Sequence, residues 1–252
     1  MPRYPYGGPS YSFGPGVITP AIKILLIVNT AVFLVTLAVP ELIIRFGVVP
    51  EAIFGQFAVW QLVTYMFLHG GVGHLLMNML SLWMFGTELE RSWGTRFFTK
   101  YYFVTGIGAG LLTLLWSISP LPYASSIYYS TMIGASGAIY GVLLAYALYF
   151  PHRPIYYMML FPIPAKYFVM IVGAITFLSS IGSAGSGVAH TAHLGGLLVG
   201  YVYLKSLRGR LLAEIKYRWL RWRMNRARSR FDVYSGGRED DSWKTDWKKH
   251  IH

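Results

Sequence analysis

The chain has no cysteine, no aspartate before Asp232, and neither Asp nor Glu from Arg91 through Ala213. The first absence excludes a disulfide framework, a thiolate nucleophile, a cysteine zinc site and an iron–sulfur site, and leaves the redox compartment unreadable. The second excludes a pair of aspartates working inside a membrane. The third argues against a soluble domain, because charged residues are only 13% of the 252 positions, about half the ~25% usual for a globular protein. No His-Glu-x-x-His occurs, so a zinc metalloprotease is unsupported.

What is present is apolar, aromatic and unevenly charged. Of the 22 Lys and Arg, 14 fall between Lys205 and the C-terminus, while the acid-free centre is what lipid solvation demands. The pattern predicts a membrane core with a basic tail. Residues 1–20 carry Pro2, Pro5, Pro9, Pro15 and Pro20 and read as a flexible arm. No removable signal peptide is expected.

A spanning helix needs about 20 mostly apolar residues, fewer where loops dip inward. Six candidates follow: 21–39, 74–87, 97–116, 136–150, 165–181 and 188–204. The expected fold is therefore all-α, a polytopic six-helix membrane bundle. The apolar run 57–68 is too short to cross and reads as an interfacial or re-entrant piece of a long first loop. Under the positive-inside rule, 21 of the 22 basic residues fall on one side and only Arg45 on the other. Both termini are expected in the cytoplasm.

Helical rise turns these spans into depths. Counting back from Phe150 to Ser136, from Leu204 to His193 and from Thr87 to His74 gives about 18–22 Å each at ~1.5 Å per residue. In a core ~30 Å thick, all three residues then lie roughly 8–12 Å below the outer surface. The segments leading into Ser136 and His193, 123–134 and 182–187, are rich in Ser, Gly and Tyr. They are expected to be non-helical and to line a wet pocket. Water, a hydroxyl and an imidazole at one depth point to hydrolysis.

Three motifs carry this reading, and each has a plainer alternative. Gly134-Ala135-Ser136-Gly137 places a hydroxyl at a helix start, where unpaired N–H groups favour an oxyanion; alone, Ser136 is equally a helix cap and the glycines packing surface. His193, Gly196 and Gly200 share one helix face, and the pairs Gly196/Gly200 and Gly137/Gly141 are small-residue seams. If the seams face each other, Ser136 and His193 come within hydrogen-bond reach. His190, a turn earlier, is a weaker candidate. His74 and Asn78 point the same way from the second helix and suit oxyanion stabilisation, or simple interhelical hydrogen bonding. With no carboxylate at hand, since Glu88 and Glu90 lie at the wrong end of that helix, any catalysis by Ser136 and His193 is a dyad. Gly-x-Ser-x-Gly is absent, so the hydrolase nucleophile elbow does not apply.

Across residues 21–204 the chain resembles the rhomboid intramembrane serine proteases, on His74-Leu75-Leu76-Met77-Asn78, Gly134-Ala135-Ser136-Gly137, and Ala192-His193 followed by Gly196 and Gly200. The resemblance implies that Ser136 is the nucleophile and His193 the general base, then acid. It implies that Asn78 and His74 join the Ser136 N–H in the oxyanion hole, and that Tyr140 stacks on the imidazole in place of an aspartate. Trp60, His69 and Glu90 to Gly94 fit the family pattern, whereas Gln61 stands where many members have Arg. The fifth helix and loop 182–187 would be gate and cap.

The resulting expectation is a protease domain at 21–204 between the arm (1–20) and a basic cytoplasmic tail (205–252). It cleaves single-pass transmembrane proteins at a site opening to the extracytoplasmic side, in the plasma membrane. Neither metal nor organic cofactor is suggested. The tail, with net charge +8 and four Trp, reads as a contact with anionic lipid of the bilayer rather than with nucleic acid. Two other readings stand beside this one: a small-solute transporter, disfavoured by the lack of an inverted repeat, and an inactive rhomboid-like binder of membrane proteins.

Overall fold

Pro20 opens the first helix, α1 (Pro20–Ala38), at the position where a missing N–H is harmless and the fixed φ is already helical. The computed structural model describes residues 14–157, 161–182 and 187–207, with the single positions Arg221 and Met224. The chain divides into two units, Met1–Lys205 and Ser206–His252, and the account below concerns the first. The arm up to residue 13, most of loop 182–187 and nearly all of the basic tail lie outside the described residues.

Thr19 provides no side-chain cap for α1. Its free N–H groups are met from elsewhere: Ala21 N and Ile22 N donate to the two oxygens of Glu90 at 2.9 and 3.1 Å. The Thr19 and Thr95 hydroxyls donate to the same carboxylate. A buried anion at a helix N-terminus also meets the positive end of the dipole.

The first loop folds into three short helices, α2 (Leu42–Phe46), α3 (Pro50–Gln56) and α4 (Gln61–Thr64), the last running into a 3₁₀ turn at Tyr65–Phe67. The run 57–68 is thus several pieces, set off from α3 by the left-handed φ of 56° at Phe57. Gln61 accounts for the packing. Its Oε1 accepts from Val49 N at 3.0 Å and its Nε2 donates to Arg45 O at 3.3 Å, while Trp60 Nε1 donates to that same carbonyl at 3.2 Å.

The second long helix continues past the stretch the sequence suggests. α5 (Val72–Ser81) passes through a π turn (Leu82–Gly86) into α6 (Thr87–Trp93), giving a continuous rod over residues 72–93. There follow α7 (Thr95–Ser117), α8 (Ala124–Tyr128) and α9 (Ser136–Tyr149). β1 (Pro154–Tyr157) and β2 (Phe161–Pro164) pair antiparallel, Pro154 opposite Pro164. α10 (Ala165–Gly182) and α11 (Gly187–Leu207) complete the described chain.

Two expectations need correction. The fold is predominantly helical but includes this hairpin. Segment 123–134, expected to be irregular, contains α8 and then pairs Met132 with Val48. Among the described residues, α1 alone is long and apolar enough to cross a membrane on length and composition; Ser136–Tyr149 and Ala165–Ser179 are shorter apolar helices.

α7 forms the middle of the core, with Phe98, Tyr101, Tyr102, Thr105 and Ala109 all fully buried. Its buried threonine hydroxyls are satisfied locally: Thr105 and Thr113 donate to the carbonyls of Tyr101 and Ala109 at 2.9 and 3.0 Å, which removes the cost of an unpaired polar group at those positions. Two tyrosines then bond across elements to glycine carbonyls, Tyr101 Oη to Gly141 O and Tyr65 Oη to Gly106 O, both at 2.7 Å.

Candidate active site

The site is assembled around the first turn of α9. Gly134 takes a φ of +122°, a conformation L side chains rarely adopt, and its N–H donates to Tyr65 O at 2.9 Å. This turn delivers Ala135 as the helix cap and Ser136 as the first helical residue. Ser136 is therefore not the cap. Its Oγ lies 2.7 Å from His193 Nε2 on α11, while the N–H groups of the first turn have no partner within the helix.

Contact between α9 and α11 is made through glycine. A Cβ on Gly196 would collide with the Gly137 carbonyl, and one on Gly200 would lie 3.2 Å from Gly141 Cα and 2.5 Å from Tyr101 Oη. Gly137 is equally confined, with the Ala109 methyl 2.9 Å from its Cβ position. Bare backbones bring the two helices close enough for a short serine side chain to reach the ring.

Tyr140, one turn along from Ser136, stacks on His193 with ring centroids 4.1 Å apart and planes 5° from parallel. Its hydroxyl lies 3.2 Å from Thr176 Oγ1 on α10. His190 sits a turn before His193, with ring centroids 6.2 Å apart.

On the opposite side stands His74, in the first turns of α5. Its Nδ1 accepts from Gly70 N at 3.4 Å, so in the neutral ring the proton resides on Nε2. That nitrogen faces Gly134: a Cβ there would lie 2.9 Å from His74 Nε2 and 3.6 Å from Ser136 Oγ. The ring also meets His69 edge-on at 5.1 Å. Asn78 is placed differently, because its Nδ2 donates to His74 O within its own helix at 2.9 Å. The structure thus brings together Ser136, His193, Tyr140, His74 and Gly134, with Gly137, Gly196 and Gly200 in the seam. Within that set the Asn78 amide bonds only the His74 backbone carbonyl of its own helix. Among the described residues, no group of three His, Asp or Glu is placed to hold a metal ion.

Residues 56–210 match the family model of the Rhomboid domain, more than half the chain. This chain belongs to the rhomboid family.

Rhomboids are integral membrane proteins, and several relatives carry protease names. The chain is 33% identical to Rhomboid protease GluP of Bacillus subtilis (strain 168) over 163 residues, 64% of this chain and 28% of that protein. It is 36% identical to Rhomboid protein 1, mitochondrial, of Saccharomyces cerevisiae over 144 residues, 54% of this chain and 38% of that one. With Rhomboid protease AarA of Providencia stuartii it shares 33% identity over 155 residues, 56% of this chain and 53% of that one. The chain thus spans between about a quarter and about a half of the length of these relatives.

Two residues of this rhomboid site escape a reading of the sequence. Tyr65 lies inside the apolar run of the first loop, and its role comes from its backbone carbonyl, which no side-chain pattern reports. Thr176 is 4% exposed and meets Tyr140 from 36 positions away; its only local signal is a hydroxyl on an otherwise apolar stretch of helix.

Proposed function

We propose that this rhomboid is a serine endopeptidase that cleaves single-pass transmembrane proteins with a Ser136–His193 dyad. The observation that carries the proposal is the 2.7 Å contact between Ser136 Oγ and His193 Nε2 at a helix start with no acid beside it. As Oγ attacks the scissile carbonyl, His193 Nε2 takes its proton and later returns it to the leaving amine; water then hydrolyses the acyl-enzyme by the same route. The oxyanion is stabilised by the Ser136 N–H, His74 Nε2–H and the Asn78 amide once it turns from its helix. Tyr140 orients the imidazole through its ring face.

In this reading, residues 21–204 form the protease domain and cross the membrane six times, the termini lie in the cytoplasm, and the site opens to the other side of the plasma membrane. The basic tail beyond 204 contacts anionic lipid. Ser136→Ala and His193→Ala are each expected to abolish cleavage of a transmembrane substrate while keeping wild-type thermal unfolding. A serine-directed phosphonate is expected to form an adduct with the wild type and none with Ser136→Ala. Turnover in either variant would remove the dyad.

A further inference from the structure

Away from Ser136, a groove of about 380 Å³ runs between α1 and the first loop. Val28, Val32 and Val35 form one wall, Phe46, Phe67 and Leu68 the other. It follows α1 from Val28 to Thr36, about 12 Å at 1.5 Å per residue, most of the ~15 Å depth of hydrocarbon in one leaflet. A groove of that length and volume has room for a hydrocarbon chain laid along α1.

The chemistry of the walls points the same way. The only side-chain polar atoms in the lining are the hydroxyls of Thr36 and Thr64, and both are spent on backbone: Thr36 donates to Phe33 O at 2.9 Å and Thr64 to Phe46 O at 2.6 Å. An extended peptide laid here would find no partners for its amides, at a cost no short segment recovers. A hydrocarbon chain has no such need.

Arg45 lies on α2, next in the chain to Phe46 of the groove wall. Its guanidinium carbon lies 6.0 Å from the centroid of the Phe46 ring that lines the groove, and its carbonyl is held by Trp60 and Gln61. The side chain is exposed, and neither Glu41 nor Glu51 is paired with it. We infer that this groove binds one acyl chain of an anionic phospholipid whose phosphate is held by Arg45. Such a lipid clamps the first loop to α1, and that loop supplies the Tyr65 carbonyl beneath the Gly134 turn. The inference does not rest on the proposed proteolysis.

The full chain, purified in detergent, is equilibrated with equal dioleoyl phosphatidylglycerol and dioleoyl phosphatidylcholine, and retained lipid is counted by native mass spectrometry. Wild type is expected to keep one lipid per chain, phosphatidylglycerol favoured about fivefold, the usual contribution of one cation at a lipid surface. Arg45→Gln is expected to retain a lipid without headgroup preference. Ala31→Trp, which fills the groove from the exposed side of α1, is expected to lose it. Matching thermal unfolding shows that both variants fold. If Ala31→Trp retains lipid as the wild type does, or Arg45→Gln keeps the preference, the site is overturned. Binding through the basic tail alone would leave all three proteins alike and overturns it equally.

Discussion

At the residue scale, Tyr140 separates two contributions that one side chain makes at once. Its ring covers the imidazole, an aromatic contact worth about 0.5–1.5 kcal/mol beyond burial, and its hydroxyl meets Thr176, a bond worth about 1 kcal/mol. Tyr140→Phe keeps the first and deletes the second, so kcat on a transmembrane substrate is expected to stay near wild type with a small loss of thermal stability. Tyr140→Ala is expected to lower kcat well beyond any change in KM. The same kinetic split tests Asn78. Its amide now serves a carbonyl one turn back, so a role at the oxyanion appears only in turnover, and Asn78→Ala is expected to reduce kcat by up to about 10²-fold with KM little altered. Residues such as Ser136, His193 and Gly196 were legible in the sequence because small and reactive side chains recur there at helical spacing. The Thr176 partner was not, since a contact between helices 36 positions apart leaves no local trace.

At the scale of elements, glycine placement decides what the helices tolerate. Gly196→Ala forces a methyl into the Gly137 carbonyl, and overpacking of this kind costs at least about 1–3 kcal/mol. Its expected outcome is a clear drop in the detergent unfolding midpoint, with loss of serine-probe labelling. Gly173→Ala is the matched control on α10: its nearest neighbour, Leu197, would stand 3.5 Å from the new methyl, an ordinary contact, and both readouts are expected to stay unchanged. The longer helices were visible in advance because they coincide with long apolar runs, α1 opening at Pro20 and α9 stopping short of Pro151. The π turn at Leu82–Gly86 was not, because a helix that gains one residue per turn keeps the same apolar composition. Nor was the β1–β2 hairpin: Pro154–Tyr157 and Phe161–Pro164 are apolar without alternation, which fits a buried strand, a helix end or a loop equally well.

For the whole molecule, Glu90 is the residue on which several parts converge. Burial pushes its carboxyl towards the neutral form, but hydrogen bonds from Thr19, Ala21 N, Thr95 and Ile22 N prevail and hold it below the ordinary glutamate range. A carboxyl with a depressed folded-state pKa contributes stability at neutral pH and above, and that contribution is lost as pH falls through the folded value. Wild-type unfolding temperature is therefore expected to fall on acidification below the usual glutamate range, and Glu90→Gln to start lower at pH 7 and fall less over the same interval. A pH series of detergent melts on both proteins checks this. The position is telling for the fold as well, because the carboxylate ties the start of α1 to the junction of α6 and α7. In the sequence Glu90 fits only a family pattern; the α1 it caps begins about 70 residues earlier.

The glycine seam also constrains how anything reaches Ser136. Where Gly196 rides on the Gly137 carbonyl, the two helices have no cushion of side chains to compress or shear, and parting them would leave a void walled by naked main chain. That half of the bundle is thus an anvil. Whatever yields when the proposed substrate approaches Ser136 must do so at another wall.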